Sequence, residues 1–311
     1  MKLRPLLASS ASLVLAFAAP AHAGEASVPS AQEPSEEATS SEAPGVPALW
    51  KVADEDTTIY MFGTVHVLPP DVDWHTGAIK DALAKSGELV TEIDMTPEAM
   101  AEIAGSMQSK GMLPQGETLR GLMNEEQRAT YEAGLAKLGI PANAFDRFEP
   151  WFAAIALLQI SLQASGYTDD KGVENVLEAT VADGTKRVAL ETVDFQINVF
   201  DGLPIDQQLL FLLEGAEDPL ASIEMLNQVV ELWSTGRAEE LGALMTEAMM
   251  AHPNLAERLL YSRNANWAEW IDERLDEPGT VFLAVGAGHL SGEKSVPDLL
   301  AERGIETSRV Q

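Results

Sequence analysis

Two four-residue segments carry the side chains best suited to chemistry: Gly63-Thr64-Val65-His66 and Gly286-Ala287-Gly288-His289. Each follows an apolar run, Thr58-Ile59-Tyr60-Met61-Phe62 in the first case and Thr280-Val281-Phe282-Leu283-Ala284-Val285 in the second. Glycine lets the chain turn sharply where a strand ends, and the histidine three residues on presents an imidazole at that turn. Imidazole is both a metal ligand and a proton carrier near neutral pH. Two of them, far apart in sequence but each at a strand end, could face one site. Such a pair suits a bound metal ion or a proton-transfer couple.

Two carboxylates sit in comparable places. Glu92 lies near the end of the short run Glu88-Leu89-Val90-Thr91-Glu92-Ile93, and Glu191 closes Arg187-Val188-Ala189-Leu190-Glu191. Open α/β sheets bind ligands beyond the carboxyl ends of their strands. If the four strands are parallel neighbours, His66, Glu92, Glu191 and His289 converge there. That set suits a divalent transition ion with one carboxylate left to move protons. Taken singly, a histidine after a strand is more often a hydrogen-bonded structural residue, and a glutamate there a solvated terminus. It is the recurrence of the Gly-x-x-His device that carries weight. Arg263, in Arg263-Asn264-Ala265-Asn266-Trp267, is a candidate to hold a substrate carboxylate or an oxyanion. Its plainer reading is a surface ion pair. Glu174, in Lys171-Gly172-Val173-Glu174, could face the same site, or simply favour the start of a helix.

The other histidines compete poorly. His75 heads a helix, His252 sits in a helix break before Pro253, and His22 lies in the N-terminal leader. The chain has no His-Glu-x-x-His helix, no Gly-x-Ser-x-Gly elbow and no phosphate-binding glycine loop. Gly286-Ala287-Gly288 lacks the third glycine of a dinucleotide turn.

The elements that must position these residues read as follows. Residues 1–23 have a secretory leader's form: Lys2 and Arg4, an apolar run from Leu6 to Ala19, and Ala21-His22-Ala23 as the cleavage site. Residues 24–46 are rich in Ala, Ser, Pro and Glu and form a disordered linker. Residues 47–311 form one domain. A hairpin over Ala48–Val52 and Thr57–Phe62 opens it, and a helix follows over Trp74–Lys85. Helices start at Thr96-Pro97 and Asn124, with apolar and helical stretches over 150–163, 172–182 and most of 204–270. A helix over 296–303 and a short strand over 307–310 close the chain. Strands at both ends of the chain with a helix-rich middle make this α/β, or α+β, around a central mixed sheet with flanking helices.

Composition bounds the function. Net charge is −29 and there is no cysteine. The acidity excludes nucleic acid and anionic lipid as partners, and its bland role is solubility. Without cysteine there is no disulfide framework or thiolate metal site. The leader points to a periplasmic or secreted protein with no membrane span after cleavage.

Together these segments resemble the TraB/PrgY/GumN family, the group that includes the Tiki metalloproteases. The resemblance covers about residues 48–311. It rests on Gly63-Thr64-Val65-His66, Glu92 in Val90-Thr91-Glu92, Lys171-Gly172-Val173-Glu174, Leu190-Glu191-Thr192, Arg263-Asn264 and Val285-Gly286-Ala287-Gly288-His289-Leu290. Glu174 stands where an aspartate is expected as often. The resemblance implies a Tiki-like fold and a divalent-metal-dependent peptidase, with manganese or cobalt favoured and zinc admissible. In that reading His66, His289 and Glu92 hold the metal, Glu92 or Glu191 moves protons, and Arg263 meets developing negative charge on a peptide or small-molecule substrate. The alternatives are a non-catalytic periplasmic protein that binds a peptide, haem or a metal, and a degenerate enzyme with a structural role.

Overall fold

The computed structural model describes residues 45–94, 96–250 and 253–311. The leader, nearly all of the linker and His252 fall outside them. The chain runs β1 (Leu49–Ala53), β2 (Thr57–Thr64), α1 (Gly77–Lys85), β3 (Glu88–Thr91), α2 (Pro97–Lys110), α3 (Glu125–Lys137), α4 (Pro150–Ala164), α5 (Val173–Thr180) and β4 (Lys186–Ala189). It continues with α6 (Val193–Asp201), α7 (Ile205–Glu217), α8 (Pro219–Ser234), α9 (Ala238–Met250) and α10 (Pro253–Ala256). A π-helical turn (Glu257–Tyr261) joins α10 to α11 (Ser262–Arg274), and β5 (Gly279–Gly286), α12 (Val296–Glu302) and β6 (Ser308–Arg309) complete the chain.

The six strands form one mixed sheet in the order β4-β3-β5-β2-β1-β6. Four consecutive strands, from the edge strand β4 to β2, are parallel: β2 pairs with β5 from Thr57↔Gly279 to Thr64↔Gly286, β5 with β3, and β3 with β4. The hairpin partner β1 runs antiparallel to β2, and β6 antiparallel to β1. This arrangement explains the two apolar runs: a parallel strand covered by helices on both faces must be apolar at every position. Alternate residues serve opposite faces. Phe62, Leu89, Phe282 and Ala284 pack into the large helical layer built by α2–α9. Ile59, Met61, Val90, Val281, Leu283 and Val285 pack against Trp267 and Ile271 of α11 and Leu300 of α12.

Local chemistry sets several element ends. Asn124 and Gln127 close a reciprocal capping box at α3, and Thr96 caps α2 ahead of a proline in its first turn. One boundary moves from the sequence reading. The first helix begins at Gly77 and not at Trp74, with Thr76 at the cap position. Trp74 is instead buried against Phe62, centroids 5.4 Å apart, so its apolar surface serves the core and not a helix turn. Among the described residues no helix is long and apolar enough to cross a membrane.

Candidate active site

The four strand ends do meet. β4, β3, β5 and β2 are consecutive and parallel, so their carboxyl ends lie along one edge. Glu92 directly follows β3, His66 lies two residues past β2 and Glu191 two past β4. His289 closes a 3-10 turn, Ala287–His289, after β5. The two glycine turns touch: a Cβ on Gly63 would lie 3.0 Å from the Ala287 Cα. From the helical layer, the Trp233 indole N–H holds the Gly63 carbonyl at 2.7 Å.

Arg263 ties the site together. It is buried, contrary to the surface ion-pair reading. Its Nε donates to Glu191 Oε1 at 2.8 Å, and Nη2 donates to Glu92 Oε2 at 2.6 Å and to Glu191 Oε2 at 2.9 Å. Its Nη1 donates to the Leu259 carbonyl at 3.0 Å and lies 3.2 Å from His289 Nε2. A guanidinium has five N–H bonds and these contacts use all five. Arg263 therefore holds the carboxylates and is not left open to receive an oxyanion, the role expected from sequence. Its plane also lies over the Trp267 ring, 4.8 Å from the centroid.

Three residues to which the sequence reading gave no role complete the network. Gln196 of α6 donates from Nε2 to Glu92 Oε2 at 3.0 Å and to Glu191 Oε2 at 3.1 Å. The Trp267 indole N–H donates to Glu191 Oε1 at 3.0 Å, and its ring lies 4.3 Å from that of His289. Asn264 Oδ1 lies 2.6 Å from His289 Nδ1. Trp267 was within reach of sequence reasoning, because residues four apart on a helix share a face. Gln196 carried no signal, since its helix crosses the site only in the folded chain.

Glu174 does face the site. Its carboxylate accepts from His66 Nδ1 at 2.7 Å. The path that brings it there is steric. The Val173 N–H donates to the Val65 carbonyl at 3.0 Å, and Gly172 passes so close that a Cβ would stand 1.9 Å from the His66 carbonyl oxygen. His66 and Glu174 are also the most accessible of the set, each side chain 12% exposed against 3% for His289. Solvent or a substrate thus meets the His66 side first. His75 stays apart in the loop before α1, its ring tilted against that of Trp74.

Burial and charge sort the ionisation states. Burial alone would lower the His66 pKa, but the Glu174 carboxylate, by charge and hydrogen bond, outweighs it and raises the value. His289 goes the other way: burial, then the Arg263 charge, hold it down to about 3. Burial would raise Glu92, yet Arg263 first, then the two imidazoles and the Gly286 N–H at 2.7 Å, hold it down to about 2. At neutral pH the centre is a carboxylate–guanidinium network with one neutral imidazole inside and one carboxylate-paired imidazole at its rim.

In kind, these donors fit the divalent ion that the resemblance implies. Each histidine commits Nδ1 to an outer acceptor, Glu174 or Asn264, which leaves Nε2 as the nitrogen for a ligand, the usual arrangement of ligating imidazoles. Glu92 Oε1 lies 3.9 Å from His289 Nε2. As the side chains stand, no three histidine, aspartate or glutamate residues among those described already close on one point. Arg263 stands between Glu92 and His289, so an ion here would share Glu92 with that guanidinium.

The chain is 24% identical over 275 residues to an uncharacterized protein of Treponema pallidum (strain Nichols), covering 83% of this chain and 81% of that one. It is 23% identical over 242 residues to uncharacterized protein YbaP of Escherichia coli (strain K12), covering 78% of this chain and 87% of YbaP. YbaP of Shigella flexneri matches to the same extent. No solved structure matches. The family model for TraB/PrgY/gumN matches residues 48–309, nearly all of the described chain, and the protein belongs to that family.

Proposed function

We propose that the strand-end cluster is the catalytic centre of an exported hydrolase that acts on peptide bonds with the help of a divalent metal ion. The observation that carries this reading is the matched treatment of the two imidazoles. Both are anchored through Nδ1, and His289 Nε2 lies 3.9 Å from the buried carboxylate of Glu92. His66 and His289 would hold the ion through Nε2, with Glu92 as the third ligand. When bound, the ion supplies Lewis acidity and makes water nucleophilic at neutral pH.

The chain's own residues do the rest. Glu174 draws on the Nδ1 hydrogen of His66 and makes Nε2 more electron-rich. Glu191 and Gln196 hold Arg263 and Glu92 in register. Arg263 pairs with both carboxylates, and its charge keeps Glu92 ionised despite burial. A haem-binding role is less well served. His289 is buried and covered by the Trp267 ring.

The test is metal content together with cleavage on the same full-length preparation. Elemental analysis is followed by peptide-library digestion after chelation and after return of manganese, cobalt or zinc. Stoichiometric metal and metal-dependent cleavage, both lost in a folded His66→Ala variant, are the expected result. Unchanged cleavage in both His66→Ala and His289→Ala, or no retained metal and no cleavage with any ion, would overturn the reading.

A further inference from the structure

Behind His289 the chain doubles back at Lys294, which among the described residues is the one non-glycine with positive φ, 54°. Side chains disfavour that conformation, and it persists where the surroundings impose it. Two contacts impose it here. The Lys294 ammonium lies over the Tyr261 ring, 4.7 Å from its centroid, and the Lys294 carbonyl accepts from Asn264 Nδ2 at 2.8 Å.

The second contact has a logical consequence. A carbonyl only accepts, so the amide nitrogen of Asn264 must face Lys294 and its oxygen must face His289. That oxygen lies 2.6 Å from Nδ1, so Nδ1 must carry the ring hydrogen. Nε2 is then the lone pair, which suits the Arg263 N–H 3.2 Å away. Asn264 is fully buried, so no water competes for either end of its amide.

We propose that Asn264 and Lys294 are positioning residues that fix His289 as its Nδ1–H tautomer and aim the Nε2 lone pair at the Glu92–Arg263 centre. What that lone pair is used for rests on the function proposed above; the tautomer is a property of the resting protein. The plainer account makes Asn264 a tie between α11 and the loop, with Arg263 alone setting the tautomer.

Histidine-15N-labelled full-length protein, without added metal and at neutral pH, separates the two. The His289 ring is assigned by its absence in His289→Gln. Wild type should give a protonated-type Nδ1 and a lone-pair-type Nε2. Asn264→Leu should lose that pattern and show a mixture of tautomers. Lys294→Gly, which takes positive φ freely, should keep it, whereas β-branched Lys294→Val should weaken it. An Nε2–H tautomer in wild type would overturn the proposal, and that measurement needs no variant to fold. An unchanged pattern in Asn264→Leu would also overturn it, in favour of Arg263 alone. Because no turnover is read, a protein that shows the pattern yet cleaves nothing would sink the hydrolase reading and leave this one standing.

Discussion

At the scale of residues, the site is held by the demand that buried charge be compensated. Glu92, Glu191 and Arg263 are all nearly inaccessible, and leaving one of them unpaired inside the protein costs far more than the pair gains on forming. Glu92→Gln removes the charge that meets Arg263 Nη2 and should destabilise the fold by roughly 3 kcal/mol or more. The pH dependence follows. The folded value of about 2 lies below the ordinary 4.5. Glu92 therefore contributes stability that is complete above about 4.5 and disappears as pH falls toward about 2, on the order of 3 kcal/mol. Urea unfolding of wild type and Glu92→Gln across that range should show the gap between them closing. A constant gap would mean the pair is not what Glu92 contributes. Glu174→Gln tests the rim. With the carboxylate gone, burial should dominate, and the His66 imidazole should titrate at lower pH than in wild type, read by NMR. If the centre works as proposed above, hydrolysis should fall by about 10–100-fold, the usual cost of losing such an outer partner of a metal ligand.

Among the elements, what matters is how close two backbones can come. The Gly172 loop delivers Glu174 by passing within van der Waals contact of the His66 carbonyl, and it does so without a positive φ. Glycine is needed there because any Cβ would overlap backbone, which cannot swing aside as a flexible side chain would. Gly172→Ala should therefore push the loop outward and lengthen the His66–Glu174 contact. It should cost about 1–3 kcal/mol in overpacking, measured as a lower urea midpoint, and bring the same downward shift in His66 titration as Glu174→Gln. Wild-type titration in a stable Gly172→Ala protein would show that the close approach does not position Glu174. The π-helical turn before α11 serves a similar end. It brings the Leu259 carbonyl to the Arg263 side chain, so that the backbone itself satisfies one of the guanidinium's donors.

Across the whole molecule, the helix-rich middle is the scaffold that lets distant segments share one edge of the sheet. The parallel neighbours β2 and β5 come from opposite ends of the chain, and the helices between them cover one face. Strand pairing puts all four chemical strands side by side, and α11 closes the other face to supply Arg263, Asn264 and Trp267. The acidic surface lies outside this network. The buried carboxylates have Arg263 as their local partner, so the net charge of −29 bears on solubility and encounter more than on the state of the centre.

By composition alone the sequence marked the strands, because a parallel strand buried on both sides has to be apolar throughout; their faces came from the fold. It also marked His66, Glu92, Glu191 and His289, since a polar residue just past such a run is conspicuous, and it placed Glu174 and Arg263 among the candidates. Only the tertiary structure decided what those residues do to one another. Arg263 changed from an open oxyanion donor to a fully engaged tie because its partners lie on three different elements. Gln196, Asn264 and Lys294 entered for the same reason. A hydrogen bond depends on distance and direction between groups far apart in the chain, and no local pattern of residue types records either.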